Sequence, residues 1–339
     1  MKTKHETKLR ILVTGGAGYI GSVTSAALVE AGHAVTILDS LVTGHREAVP
    51  RGAGLVRGDI ANDKLVARIC QGGIDLAMLF AAFIDVGESV RNPGRYYANN
   101  VAKTVSFLDA LVRSGVGSIV FSSSAAVYGE PERLPLTEES RLAPVSPYGC
   151  GKMMVERILM DLEAACGLRH ASLRSFNAGG AAGGLGEDHE PESHLIPRIL
   201  AAQRSGKALE VSGADYPTRD GSCIRDYIHV TDLAAAHVLS AEYLAGGGPG
   251  GAFNLGTGTG FTVLEVIRAV EKVTGAAVPH TLAGRRPGDP PALVASAGKA
   301  QSILGWTRNL LPLEEIVRSA WQWKKKFPSG YGAKRKRKA

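Results

Sequence analysis

The sequence predicts an α/β fold: a doubly wound parallel sheet with helices on both faces, and a smaller C-terminal α/β lobe. Three observations predict it. Short apolar runs alternate with helix-patterned segments through the first half, as right-handed βαβ units require. A string of glycines separates the first apolar run from the first helical pattern. After Asn177 the alternation breaks into a stretch over 178–192 rich in Gly, Ala and acidic residues, which reads as a loop. At 339 residues and 45% hydrophobic content, the chain can bury a sizeable core and is too apolar for disorder.

The elements follow in order. Residues 10–14 are a strand, and 19–31 carry a helical pattern. Residues 34–38 are a second strand ending at Asp39, and 55–57 a third, followed by a helix over 62–70. Residues 76–80 are a fourth strand, 95–114 a long helix, 118–122 a fifth strand, 147–165 a helix and 171–176 a strand. Strands this short and this continuously apolar suit a sheet buried on both sides. Later helices are expected near 194–205, 232–245, 262–274 and 313–326, and Thr262 with Glu265 has capping-box spacing. Residues 246–251 read as a glycine-rich loop. The expected division is 8–177 for a nucleotide-binding domain with some later segments returning to it, 178–331 for a substrate lobe, and 332–339 for a basic disordered tail.

The net charge of +7 raises the question of nucleic acid, but its distribution answers it. Lys334 to Lys338 contribute +5 and the first ten residues +3, leaving −1 for residues 11–333. No specific nucleic-acid partner is expected. No apolar run approaches the ~18 residues of a membrane helix, and the N-terminal apolar stretch is too short for a signal-peptide core. Cys70, Cys150, Cys166 and Cys223 form no close pair, so reduced thiols in a cytoplasmic protein are expected, with no metal site.

Gly15-Gly16-Ala17-Gly18-Tyr19-Ile20-Gly21 follows a strand and opens a helix. Glycine permits the tight turn and the close approach of a pyrophosphate, and the helix N-terminus offers N–H donors and partial positive charge. This context makes a Rossmann-type dinucleotide site of an otherwise weak signal. Asp39, at the end of the second strand, can accept both ribose hydroxyls and would repel a 2′-phosphate, so NAD is expected. Asp59 follows the third strand; the sequence leaves open whether it reaches the adenine or caps the next helix.

Tyr148 and Lys152 stand four apart on a predicted helix and share a face. An ammonium beside the phenol, with the positive nicotinamide, would lower the tyrosine pKa from near 10 and make it a base. Read alone, such a pair is an ordinary surface pair. Its place decides: upstream, the fifth strand ends in Ser122-Ser123-Ser124, and hydroxyls at a parallel strand's carboxyl end face the cofactor crevice. Ser124 can then bond the oxygen being oxidised.

Together these residues resemble the extended short-chain dehydrogenase/reductases. Thr14 to Ser22, Val86-Gly87-Glu88-Ser89, Ser122 to Gly129, Ser146-Pro147-Tyr148-Gly149, Phe176-Asn177, Asp215-Tyr216-Pro217-Thr218, Arg225 to Val230 and Arg285-Arg286-Pro287-Gly288-Asp289 resemble the UDP-glucose 4-epimerase family of nucleotide-sugar epimerases. The resemblance spans residues 10 to about 331. It implies a permanently held NAD and a UDP-sugar substrate. It further implies that Tyr148 takes the 4-OH proton while C4 passes hydride to NAD, that the 4-keto sugar turns over, and that hydride returns to the other face. By the same resemblance, Ser40, Thr43, Gly44, Ile60, Phe80, Ala81, Ala82, Asn99, Ser122 and Phe176 join the glycine loop, Asp39, Asp59, Tyr148 and Lys152 around NAD. Ser124, Tyr148, Asn177, His194, Leu195, Arg225, Tyr227, Arg286, Asp289 and Leu293 fall in the UDP-sugar site. Two arginines suit a diphosphate. A homodimer through the helices near 95–114 and 147–165 is also implied.

The chain departs from that pattern at Ser212, where an aromatic often stands, and at Ser175, Ile84 and Ser40. None of these removes a catalytic group. By the resemblance Leu293 lines the sugar pocket and is intermediate in size, which leaves acceptance of N-acetylated sugars open; uronic and pentose UDP-sugars differ mainly in contacts to C5, and the sequence leaves them open too. A 4,6-dehydratase would carry an acidic pair after the catalytic serine, where this chain has Ala125-Ala126. A non-catalytic NAD-binding regulator is opposed by the intact Ser124, Tyr148 and Lys152. His229 is expected to be a structural hydrogen-bonder.

Overall fold

In the computed structural model, which describes residues 8–285, 289–309 and 311–332, the first half holds six parallel strands. They are β1 (Arg10–Thr14), β2 (Ala34–Asp39), β3 (Gly54–Arg57), β4 (Leu76–Leu79), β5 (Ser118–Ser124) and β6 (Arg169–Ser175). The second half adds β7 (Asn177–Gly179), β8 (Leu209–Ser212), β9 (Ile224–His229), β10 (Gly251–Leu255), β11 (Gly260–Thr262), β12 (His280–Ala283) and β13 (Ala292–Leu293). The large sheet has the order β10-β6-β5-β4-β1-β2-β3, every pair parallel. The order turns back at β1 and β4, and that reversal opens a crevice at the strands' carboxyl ends.

The helices are α1 (Tyr19–Glu30), α2 (Asp63–Cys70), α3 (Val86–Arg91), α4 (Pro93–Tyr97), α5 (Lys103–Arg113), α6 (Pro147–Cys166), α7 (Leu195–Ser205), α8 (Val230–Ala245), α9 (Val263–Thr274), α10 (Gly298–Leu304) and α11 (Leu313–Lys326). The side-chain alternation of β1 shows why the strands read as unbroken apolar runs. Ile11 and Val13 enter one core with Leu28 of α1 and Leu233, Ala236 and Leu244 of α8. Leu12 between them enters the other, with Phe107 and Leu111 of α5 and Val155 and Leu159 of α6. Both faces are covered, and neither tolerates polar alternation.

A second sheet, of β7, β9, β11 and β13, and a two-stranded pair, β8 with β12, build the smaller lobe. Its core gathers Ile199, Val211, Tyr227, Val266, Val270, Ile316 and Val317 from α7, α9, α11 and their strands. Thr262 and Glu265 form the expected capping box at the start of α9.

Several boundaries differ from expectation. The helix expected over 95–114 is α4 and α5 joined by a π-type stretch at Ala98–Ala102. The stretch expected to be loop from 178 opens inside β7, which pairs with β9. The glycine-rich loop at 246–251 ends in β10, which returns to the large sheet beside β6. The tail expected at 332–339 lies, apart from Gly332, outside the described residues. The four cysteines are free thiols. Among the described residues no helix is long and apolar enough to cross a membrane.

Candidate active site

One cavity of about 830 Å³ runs along the carboxyl ends of the large sheet and under the smaller lobe. Its first wall is the turn between β1 and α1. Gly15 has φ +72, and a Cβ there would lie 2.6 Å from the Ala81 nitrogen, so only glycine lets the turn pack on the end of β4. Gly18 caps α1 with no side-chain hydrogen bond, and no acid stands in the helix's first turn. The start of that helix, Gly18 to Gly21, lines the cavity with no acid in its own first turn, which suits a dinucleotide pyrophosphate.

Asp39 is held by the turn it faces: Ala17 N donates to Oδ2 at 3.0 Å and Leu41 N to Oδ1 at 2.8 Å. Asp59 accepts from Ala61 N and pairs with Lys103 Nζ at 2.6 Å. Burial pushes its carboxyl up, but Lys103 outweighs that and holds it below the usual range. Of the two readings for Asp59, the helix cap is excluded: Asn62 caps α2, accepting from Leu65 N at 3.1 Å.

Ser124, Tyr148 and Lys152 are brought together by two local devices. Ser146 caps α6, accepting from Gly149 N at 3.2 Å, with Pro147 in the first turn. Gly149 then lies so close to the Ala126 carbonyl that a Cβ would overlap it. The start of α6 therefore seats directly on the turn after Ser124, and Tyr148 comes within hydrogen-bond reach of the Ser124 hydroxyl. Burial raises the Tyr148 phenol above 10, and that bond from Ser124 pulls it back. Lys152 is 6% exposed and donates to the Ser122 carbonyl at 2.7 Å. Burial lowers its ammonium to about 8, against the opposing pull of Glu156.

The expected lowering of Tyr148 by Lys152 is absent from this geometry. The ammonium is 5.8 Å from the Tyr148 ring centroid and bound to the Ser122 carbonyl, and burial dominates the phenol.

From the smaller lobe, Arg225 of β9 pairs with Asp289 and donates to the Ile224 carbonyl. Asn177 of β7 pairs in register with Tyr227 of β9, and burial raises the Tyr227 phenol. Every candidate residue that the structure describes lines this cavity: Gly15, Gly18, Tyr19, Ile20, Gly21, Asp39, Ser40, Thr43, Gly44, Asp59, Ile60, Phe80, Ala81, Ala82, Asn99, Ser122, Ser124, Tyr148, Lys152, Phe176, Asn177, His194, Leu195, Arg225, Tyr227, Asp289 and Leu293. Arg286 lies outside the described residues. His229 lies apart from them, bonded through Nδ1 to Thr231 and through Nε2 to Ser319.

Two groups were not anticipated. Behind Lys152, Glu156 accepts from Ser123 Oγ and pairs with Arg174 at 2.6 Å, and Arg174 reaches Tyr128, which donates to Asn254 at 2.6 Å. The signals were a carboxylate one helical turn past Lys152 and an arginine inside an apolar strand. The second gathers Glu187, His189 and Glu192 around the expected His194, and of these His189 and His194 line the cavity.

The model of the NAD dependent epimerase/dehydratase family matches residues 11–256. The chain is 44% identical over 330 residues to a UDP-glucose 4-epimerase of Lacticaseibacillus casei, covering 96% of this chain and 99% of that protein. It is 48% identical over 334 residues to one of Halalkalibacterium halodurans, covering 97% and 100%. Among solved structures, UDP-glucose 4-epimerase from Brucella ovis in complex with NAD is 45% identical, with a TM-score of 0.89 over 93% of this chain and 98% of that one. The Bifidobacterium longum enzyme in complex with NAD+ and UDP is 37% identical, with a TM-score of 0.90 over 95% and 99%.

Proposed function

This chain belongs to the NAD dependent epimerase/dehydratase family, and from that premise we propose that it interconverts UDP-galactose and UDP-glucose by inverting C4 with tightly bound NAD. The observation that carries this reading is the single cavity in which an uncapped glycine-turn helix, the Ser124–Tyr148–Lys152 trio and the Arg225 end meet.

The glycine turn and the start of α1 hold the pyrophosphate of NAD, Asp39 the adenosine ribose, and Lys152 the nicotinamide ribose. Ser40, Thr43, Gly44, Asp59, Ile60, Phe80, Ala81, Ala82 and Asn99 line the cofactor's course, with Ser122 and Phe176 at the nicotinamide end. Bound there, NAD would supply the hydride-accepting and hydride-donating chemistry at C4 and a positive charge beside Tyr148. Ser124 bonds the substrate's 4-oxygen and keeps it at the Tyr148 phenol. Tyr148 takes the 4-OH proton and later gives it back, acting as base and then acid at one atom. Asn177, His194, Leu195, Arg225, Tyr227, Arg286, Asp289 and Leu293 grip the UDP-sugar, and the Arg225–Asp289 pair presets the guanidinium. Seating the sugar under the smaller lobe keeps water from the intermediate.

We assign the enzyme to the cytoplasm and to a homodimer through α5 and α6, whose outer faces expose Val105, Met154 and Met160. Light scattering at micromolar concentration tests the dimer.

Purified protein given UDP-galactose and no added NAD is expected to yield UDP-glucose by chromatography. Unchanged substrate from folded, NAD-loaded protein would refute the reading. Tyr148→Phe is expected to abolish turnover and retain NAD. Offering UDP-GlcNAc, UDP-glucuronate and UDP-arabinose in parallel reads which sugars the pocket lined by Leu293 accepts.

A further inference from the structure

The run from Glu187 to His194 turns back on itself at the cavity's edge so that Glu187, His189, Glu192 and His194 converge. One donor atom from each, a ring nitrogen or a carboxylate oxygen, lies within 4.8 Å of every other. The Glu187 side chain is 7% exposed and His189 16%. The imidazole rings of His189 and His194 meet edge to face, with centroids 5.3 Å apart. His189 Nδ1 lies 3.3 Å from a Glu187 oxygen and 3.7 Å from a Glu192 oxygen. It is shut off from solvent, yet it completes no hydrogen bond with either.

We propose that this quartet binds one divalent transition-metal ion of the zinc class. Two imidazoles and two carboxylates are a four-donor set that zinc accepts tetrahedrally, with bonds of about 2.0–2.2 Å. Donors at that radius stand roughly 3.4 Å apart, so closing the quartet needs shifts of only about 1 Å. His189 Nδ1 is already aimed at both carboxylates as an ion pair, so a metal ion between them would replace that pairing without turning the ring. Two carboxylates balance a dication, so the half-buried site stays neutral once filled. The imidazoles select for zinc, nickel or copper over magnesium and calcium. No step of the proposed epimerisation needs the ion. Its effect would reach the substrate end through His194, which lines the cavity and immediately precedes α7.

Tag-free, full-length protein, freed of metal by chelation and dialysis, is titrated with zinc chloride by calorimetry and by thermal unfolding. The expected result is one zinc per chain at micromolar affinity or tighter, undisturbed by millimolar magnesium or calcium, with a Tm that rises with zinc. His189→Gln and Glu192→Gln, each verified as folded by circular dichroism, are expected to weaken binding at least about tenfold. Absence of saturable binding at one equivalent overturns the proposal. So does unchanged affinity in both variants, which would place the zinc on other histidines.

Discussion

Lys152 shows how far a site residue can be set against stability. Burial lowers its ammonium from the usual 10.5 to about 8, so the folded chain binds fewer protons than the unfolded chain between those values. Stability therefore rises with pH across that window. Below pH 8 the full cost of the buried charge is present, on the order of 3 kcal/mol. Lys152→Met keeps the aliphatic stem and removes the charge. At equal nucleotide occupancy its Tm at pH 7 is expected to exceed that of the native protein, the margin shrinking toward pH 10, while turnover falls at least about 100-fold. The Lys152 ammonium also lies 4.8 Å from the centroid of the Phe121 ring, and a Tm below the native value at pH 7 would show that this contact and the bond to the Ser122 carbonyl outweigh desolvation. Tyr148 is under the opposite pressure. Burial holds its phenol protonated and Ser124 works against burial, so Ser124→Ala is expected to move the acidic limb of the kcat profile upward as well as to lower kcat.

At the scale of elements, α6 places the chemistry. Its start is fixed by the Ser146 cap and by the contact of Gly149 with the Ala126 carbonyl. Gly149→Ala forces the two segments apart by about an ångström. Displacements of that size cost roughly 100-fold in kcat, and NAD content, set by the distant α1 turn, is expected to stay. Full activity in Gly149→Ala would show that the contact does not position Tyr148. Two turns further along α6, Glu156 joins Ser123 and Arg174, tying the helix to β5 and β6. Arg174→Met leaves Glu156 buried without its partner, for a cost of about 3–5 kcal/mol. The double variant Glu156→Gln, Arg174→Met is expected to lose less than the two single losses combined, by urea unfolding. Such pairs mark the limit of what the chain discloses. Tyr148 and Lys152 are legible because a helix puts neighbours four apart on one face, and the glycine turn because it is contiguous. Arg174 and Glu156 meet only when β6 docks beside α6, and no local period announces it. The three-residue strands β7 and β11 are too short to show alternation at all.

For the whole molecule, the central question is whether the two lobes are separable. The boundary expected at Asn177 allows for later segments returning to the first domain, and the large sheet closes with such a segment: β10, which arrives more than seventy residues after β6 ends. Phe253 and Leu255 of β10 share a core with Leu173 of β6, and α8 lays Leu233, Ala236 and Leu244 over the same face. α1 packs along α8, with Tyr19 and Val23 against Val230 and Ala234. A fragment of residues 8–177 would expose this face of the sheet together with the open edge of β6, a surface that pairs with other chains instead of with water. That fragment is expected to be insoluble or, at low concentration, to lack a cooperative thermal transition. The full chain is expected to unfold in one transition, because melting the smaller lobe also strips β10 and α8 from the sheet. Two resolved transitions by calorimetry, or a soluble 8–177 fragment that binds NAD, would show that the nucleotide-binding half is autonomous. In the intact chain the same coupling ties the lobe that carries Arg225 and Tyr227 to the sheet that carries Ser124, so the two walls of the cavity hold one geometry.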